Sequence, residues 1–277
     1  MTHSRTRIHE LLGEHLAPRR DLGQNFVADP NTVRRIAHLA RVGPGDHVVE
    51  IGAGLGSLTL ALAESGALVT AVEVDRGIVP VLRDVVADVP NVSVVEADAT
   101  TVDWGALLSG SDRWTLVANL PYNIATPLVC DLLDDVPAIN SMLVMVQREV
   151  AERFAAPPGS KLYGAVSVKV AYWATARMAA TVPASVFVPR PKVESALVRI
   201  ERHDAATHAA LAGDVSRDRL FALVRTAFGQ RRKMLRRSLA GDVTLEQFAA
   251  ADVSPEDRPE QLGLDQWLRL AAAATEG

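Results

Sequence analysis

HVVEIGAGLGSLTLALAE, residues 47–64, reads as a strand, a tight glycine turn and the opening of a helix in one continuous run. The β-branched apolar stretch His47–Ile51 suits a strand buried on both faces, and Ser57–Glu64 has the length and composition of a crossover helix. Between them, glycines at 52, 54 and 56 let the backbone turn sharply and approach a bound ligand. A dinucleotide loop would place its third glycine where Ser57 stands, and Glu50 puts a carboxylate where a pyrophosphate would be repelled. Taken alone the loop fits either a phosphate or a nucleoside-type cofactor, with Glu50 weighing against a pyrophosphate, and its neighbours have to sharpen the choice.

Outward from this unit the same alternation continues to about Gln147. Strands are expected at Leu68–Val74, Val92–Ala97, Thr115–Asn119 and Met142–Val146, with helices over Ile78–Asp88 and Pro127–Leu133. That is the pattern of a doubly wound α/β sheet covered on both faces. Further on, Gly164–Tyr172 reads as helix and Ala176–Val182 and Ser195–Glu201 as extended, with VPRPKV (188–193) as a rigid connector. Two acids stand at successive strand ends. Glu73, about twenty residues past the loop, suits a pair of ribose hydroxyls, and Asp98 suits an adenine amino group.

NLPYNI, residues 119–124, follows the strand that begins near Trp114. Leu120 precedes a proline, so it is pushed out of the helical region and its carbonyl is freed to project into a cleft. Asn119 adds a side-chain acceptor, and two acceptors match the two N–H groups of an adenine N6 amine. Tyr122 offers a stacking face, and Phe187 is expected to close the other side. The string reads as a site that orients the exocyclic amine of a flat base.

Composition removes several classes. With 48% hydrophobic and 22% charged residues the chain has an ordinary globular balance. It shows no run long enough for a signal peptide or a membrane span, so a cytoplasmic protein without membrane contact is expected. Its one cysteine, Cys130, permits neither an internal disulfide nor a thiolate metal cluster, and no metal is expected. A net charge of -4 disfavours nucleic acid as a partner unless cations are concentrated locally. They are. Arg225, Arg231, Arg232, Lys233, Arg236 and Arg237 fall in a stretch, 225–239, that holds no acid, which suits phosphate contact. Arg19, Arg20, Arg34 and Arg35 form a looser second cluster.

Beyond about Asp204 the strand signal ends. Helices are expected over Arg217–Phe228, Arg231–Ala240 (closed by Gly241), Leu245–Ala251 (opened by Thr244, with Gln247 completing a capping box) and Gln266–Ala274, with a short element from Ser254–Pro255. A division into residues 1–205 and a small all-helical domain over 206–277 follows.

Taken in order, LGQNF (22–26), EIGAGLG (50–56), VEVD (72–75), EADA (96–99), NLPYNI, QREVAER (147–153), FVPRPKVESA (187–196) and FGQRRKMLRRSL (228–239) resemble the ribosomal RNA adenine N6-dimethyltransferases, most closely the bacterial small-subunit (16S) branch. The resemblance covers nearly the whole chain. It implies a Rossmann-like seven-stranded methyltransferase sheet that binds S-adenosylmethionine, and a carboxy-terminal helical domain that binds RNA. It implies that Asn25 and the backbone at Val27 contact the methionine part of the cofactor, with Gln24 and Phe26 shaping that wall. Gly52 and Gly54 would pass beneath the cofactor, Glu73 and Asp98 would take its ribose and adenine, and Asn119 would touch both cofactor and target amine. Dimethylation of two adjacent adenines near the 3′ end of 16S RNA, in a pre-assembled small subunit and by a monomer, is likewise implied by the resemblance alone.

Three alternatives differ in what they leave unexplained. A resistance-type enzyme acting on 23S RNA more often carries isoleucine where NLPYNI has leucine. A non-catalytic nucleic-acid-binding relative would not need the loop, Glu73, Asp98 and NLPY together. A dinucleotide-dependent oxidoreductase accounts for neither NLPYNI nor the basic stretch.

Overall fold

The computed structural model describes residues 2–13, 16–19 and 22–274. Arg20, from the expected amino-terminal basic cluster, lies outside them. In chain order the strands are β1 (Phe26–Val27), β2 (His47–Ile51), β3 (Leu68–Glu73), β4 (Val92–Glu96), β5 (Trp114–Asn119), β6 (Ile139–Gln147), β7 (Ala174–Val182), β8 (Phe187–Val188) and β9 (Ser195–Arg202). The helices are α1 (Arg5–Leu12), α2 (Pro30–Ala40), α3 (Ser57–Ala63), α4 (Val79–Val85), α5 (Trp104–Leu107), α6 (Ala125–Asp135), α7 (Arg148–Phe154), α8 (Ala165–Trp173), α9 (Ala205–Ala212), α10 (Arg217–Gly229), α11 (Leu235–Ser238), α12 (Leu245–Ala250) and α13 (Leu264–Ala273).

Seven strands form one sheet in the order β4-β3-β2-β5-β6-β9-β7. Strands β2 to β6 are parallel and β9 runs antiparallel to β6. This is a doubly wound α/β sheet with an antiparallel strand toward one edge. The strand order reverses between β2 and β5, so the carboxyl ends of these two strands flank the crevice where such sheets bind ligands. Val48 to Ile51 are all buried, as a central strand covered on both faces requires. All seven stretches read as extended in the sequence are strands of this sheet, shifted at their ends by up to three residues.

The short pair β1–β8 was not expected. It aligns Val27 with Phe187 and anchors the LGQNF segment against the chain preceding β9. Helix α2 was also not expected, although its start is written in the sequence. Asp29 accepts the backbone N–H of Thr32 at 2.8 Å, and Pro30 sits in the first turn, where its missing N–H costs nothing.

Two compact units emerge, residues 1–151 with 177–201 and residues 152–176 with 202–277. The expected cut near 205 is therefore incomplete, because 152–176 joins the carboxy-terminal helices. The reason is apolar burial. Tyr163, Val168 and Tyr172 share one core cluster with Phe221, Leu223, Leu235, Phe248 and Trp267. In the same unit the expected helix Arg231–Ala240 contracts to Leu235–Ser238. The N–H groups of Leu235 and Arg236 donate to the carbonyls of Asp257 and Pro255 instead of to a preceding helical turn.

Replacing Asp29 by Ala removes the α2 cap and is expected to cost about 1 kcal/mol. Urea unfolding checks this, and an unchanged midpoint would show that the cap contributes nothing.

Candidate active site

LGQNF and NLPYNI lie almost a hundred residues apart and meet at one cavity. Gly23 has φ +64°, and a Cβ on it would stand 3.0 Å from the Cβ of Pro121. Only glycine fits that approach without displacement. Alongside, the Asn119 side-chain amide donates through Nδ2 to the carbonyl of Asn25 at 2.9 Å. A carbonyl only accepts, so this contact fixes the amide orientation and turns Oδ1 the other way as an acceptor. Leu120 is held by its own N–H, which donates to the carbonyl of Met145 at 3.0 Å. No group among the described residues donates to the Leu120 carbonyl. The Tyr122 hydroxyl sits 2.8 Å from Ser195 Oγ, which fixes the ring by its far end.

Asn25, Val27, Gly52, Gly54, Glu50, Glu73, Asn119, Leu120, Pro121 and Tyr122 all line this cavity. The glycine loop forms its floor. Gly54 has φ +56°, and a Cβ there would press on the Phe26 ring at 3.0 Å. The loop is held from behind by the N–H groups of Gly52 and Ala53, both donating to the Val72 carbonyl.

Glu73 is buried and accepts three backbone N–H bonds. Gly54 donates to one oxygen at 2.7 Å, and Val74 and Asp75 donate to the other at 3.0 and 2.9 Å. Burial still raises its pKa above the usual carboxylate range, against the pull of those donors. Glu50, only 1% exposed, has a single side-chain donor, Thr59 Oγ1 at 2.6 Å. Desolvation, reinforced by the charge of Glu73, pushes its pKa up to about 8. Asp75 receives Gln24 Nε2 at 2.8 Å and so ties the LGQNF segment to the end of β3.

Two expected site residues are not on the cavity wall. Asp98 is exposed, and its carboxylate accepts the backbone N–H and hydroxyl of Thr100 in a local turn. Phe187 is 1% exposed and belongs to the apolar cluster with Leu143, Met145 and Leu197. In this conformation it packs the core behind β1 and offers no face to a base. Sequence reading missed His3 and Ile8 on the same wall, and Ser195 as the partner of Tyr122. No local signal marks any of them, because each acts through a contact more than forty positions away in the chain.

The basic stretch lies in the second unit. Arg225, Arg232, Lys233, Arg236 and Arg237 are exposed on the end of α10, the following turn and α11. Arg231 is half-buried. Its guanidinium donates to the Lys161 carbonyl at 2.7 Å and sits 3.6 Å from Glu260, so it ties local backbone together. Arg236 lies 3.7 Å from Glu256.

The sequence pattern described as "Ribosomal RNA adenine dimethylase" matches residues 16–276. The chain belongs to the ribosomal RNA adenine dimethylase family. Among curated relatives, the ribosomal RNA small subunit methyltransferase A of Leifsonia xyli subsp. xyli is 49% identical, over 96% of this chain and 95% of its own length. The protein of that name from Bifidobacterium longum is 45% identical over 93% of this chain and 88% of its own. Among solved structures, the 23S rRNA methyltransferase ErmE superposes with a TM-score of 0.69 at 26% identity, covering 91% of this chain and all of its own. A dimethyladenosine transferase from Plasmodium falciparum shares the fold, with a TM-score of 0.73 at 24% identity over 87% of this chain and 94% of its own. No helix among the described residues is long and apolar enough to cross a membrane, and they contain no cluster of three metal-ligating His, Cys, Asp or Glu.

Glu50 gives this dimethylase-family cavity a testable pH signature. Between its unfolded value near 4.5 and its folded value of about 8, the folded state binds more protons than the unfolded one. Stability is therefore full at low pH and declines as pH rises through that window. Glu50→Gln keeps the acceptor for Thr59 and removes the titration. Its melting temperature should match the parent at pH 5 and exceed it at pH 9 by roughly 5 °C. A pH-independent difference in calorimetry would rule out this assignment.

Proposed function

We propose that the protein is an S-adenosylmethionine-dependent dimethyltransferase acting on the N6 amines of two adjacent adenines near the 3′ end of 16S ribosomal RNA. The fixed orientation of the Asn119 amide carries the reading. With Nδ2 committed to the Asn25 carbonyl, Oδ1 is left as an acceptor at the cavity, next in sequence to the unengaged carbonyl of Leu120. Two acceptors of this kind match an exocyclic amine with two hydrogens.

The cavity residues fit the cofactor. Gly52 and Gly54 allow close approach, and Glu73 is braced by three N–H donors with one acceptor site, on Oε2, left for a ribose hydroxyl. Asn25, Gln24 and the backbone at Val27 form the wall assigned to the methionine part. Asp98 lies outside this wall, and Thr100 occupies only its Oδ1, so the exposed Oδ2 is the acceptor assigned to the adenine amine. When bound, the cofactor supplies a methyl group on a sulfonium, an electrophile that needs no activation by a base.

The chain's own task is to orient the nucleophile. The N6 lone pair of adenine is delocalised into the ring. Acceptance of its hydrogens by Asn119 Oδ1 and the Leu120 carbonyl favours a pyramidal nitrogen whose lone pair faces the donor, so orientation and electrostatics provide the catalysis. Tyr122, pinned through its hydroxyl, supplies the stacking face. No side chain acts as a general base, because the proton leaves a nitrogen made cationic by methyl transfer.

The target base must leave its stack to enter such a cavity. Arg225, Arg232, Lys233 and Arg237 are the exposed cations proposed to contact RNA phosphates, with Arg236 partly compensated and Arg231 mainly structural. The far greater similarity to small-subunit enzymes than to the 23S enzyme supports the small-subunit RNA as substrate, and action on a pre-assembled particle is proposed with it. The protein is proposed to act as a cytoplasmic monomer.

Asn119→Ala should lower methyl transfer by roughly 10- to 100-fold, the cost of one strong hydrogen bond at the reacting group. Labelled cofactor incubated with immature small subunits, followed by base mapping and nucleoside mass spectrometry, reads this. Near-parental transfer by the variant would remove Asn119 from the chemistry, and label confined to 23S RNA would overturn the substrate. Arg232→Glu should weaken RNA binding and reduce its salt dependence by about one phosphate contact. Identical salt titrations for parent and variant would exclude that residue from the interface.

A further inference from the structure

His3 lies more than fifty positions before Leu55 and Ser57 and brackets the last glycine of the loop between them. Its backbone N–H donates to Ser57 Oγ at 2.9 Å, and its ring Nε2 donates to the Leu55 carbonyl at 2.8 Å. The acceptor is a carbonyl, which places the hydrogen on Nε2. Leu55 and Ser57 flank Gly56, whose φ of +82° and tight packing on Leu82 admit no side chain. The two His3 bonds thus span the point where the loop turns into α3.

His3 is 5% exposed and lines the same cavity as Gly54 and Glu50. Behind it, α1 buries Ile8 and Leu12 against Leu55 and Ile78, and Ile8 also reaches the cavity wall. Arg5 donates to the Ser185 carbonyl at 3.2 Å. The segment 2–12 therefore closes one side of the cavity, held by the buried side chains of His3, Ile8 and Leu12 and a few hydrogen bonds. Such a short segment gains little beyond the entropy lost in ordering it, so it opens more readily than the sheet beneath.

We propose that residues 2–12 form a strap over the cofactor cavity that lifts for cofactor exchange, with His3 as the positioning residue that holds the Leu55–Ser57 end of the glycine loop. The proposal rests on the cofactor reading above. Closure through His3 shapes the loop from outside the sheet and slows ligand escape, while the amine-orienting groups at Asn119 and Leu120 are held separately by Asn25 and Met145.

The test measures dissociation of S-adenosylhomocysteine from the full chain by stopped flow, together with amide hydrogen exchange at residues 55–57. His3→Ala should speed dissociation and raise the cofactor KM about tenfold, with a much smaller change in kcat, and should increase exchange at 55–57. His3→Gln, whose amide N–H can replace Nε2, should recover most of the loss. Ile8→Ser, which loosens the strap at its other anchor, should also speed dissociation. Parental dissociation and exchange in His3→Ala, or a loss that His3→Gln does not recover, would overturn the proposal. If the unaltered chain binds no S-adenosylhomocysteine, the cofactor reading fails and the exchange step with it. The amide-exchange comparison then still decides whether His3 clamps the loop.

Discussion

The hydrogen bond from Asn119 Nδ2 to the Asn25 carbonyl is the contact on which the site depends. It joins the end of β5 to the segment just before β1, and it does so with a group that can be oriented in only one way. Were the amide reversed, two oxygens would face each other and the cavity would meet a donor instead of an acceptor. Everything that brings Asn25 within reach therefore acts on the orientation of the Asn119 amide. The β1–β8 pair holds the following residues, Gly23 allows contact with Pro121, and Gln24 is tied to Asp75 at the end of β3. The sheet's strand order places β5 beside β2, so this junction closes directly over the glycine loop.

The fold was legible wherever burial imposed a pattern on consecutive residues. His47–Ile51 reads as a strand because both of its faces are covered, and each later parallel strand carries the same continuous apolar run. Helix α2 has the same kind of local signal in Asp29-Pro30, and reading it needed only attention to the cap. Helix α1 has none that stands out, since its apolar residues Ile8, Leu11 and Leu12 are few and its partner is a loop far along the chain. The basic stretch shows the converse error. A run of good helix formers suggested one helix over 231–240, but the N–H groups of Leu235 and Arg236 are taken by carbonyls at 257 and 255. Tertiary hydrogen bonds there override propensity.

Site residues divide along the same line. The place of glycines 52 and 54, Glu73 and the NLPY string on the cavity wall was readable because each residue type marks a backbone turn or a strand end. Asn25 carries no such local mark, since its observed contribution is a carbonyl offered to a residue 94 positions away. Asp98 and Phe187, both off the cavity wall, show that strand-end placement alone does not fix a role. An acid after a strand is equally suited to a local turn, which is where Asp98 stands, and an aromatic after a short strand is equally suited to core, which is where Phe187 stands. Position along the chain offers both roles without choosing between them.

Charge follows a similar separation between average and local arrangement. A net charge of -4 conceals two opposite environments. In the first unit, Glu50 and Glu73 lie buried at the carboxyl ends of adjacent parallel strands, each made harder to ionise by desolvation, with further repulsion between them acting on Glu50. Such a wall disfavours anions and gains from a positively charged ligand, which would lower the cost of ionising both acids. In the second unit, exposed Arg and Lys side chains follow one another with few acids close by, an arrangement suited to a polyanion. A sulfonium cofactor and an RNA substrate carry opposite charge, and each is matched by the unit proposed to hold it. Net charge is therefore a poor guide to either proposed ligand, because Glu50 and Glu73 sit out of solvent in the first unit, while Arg225, Arg232, Lys233, Arg236 and Arg237 of the second remain exposed.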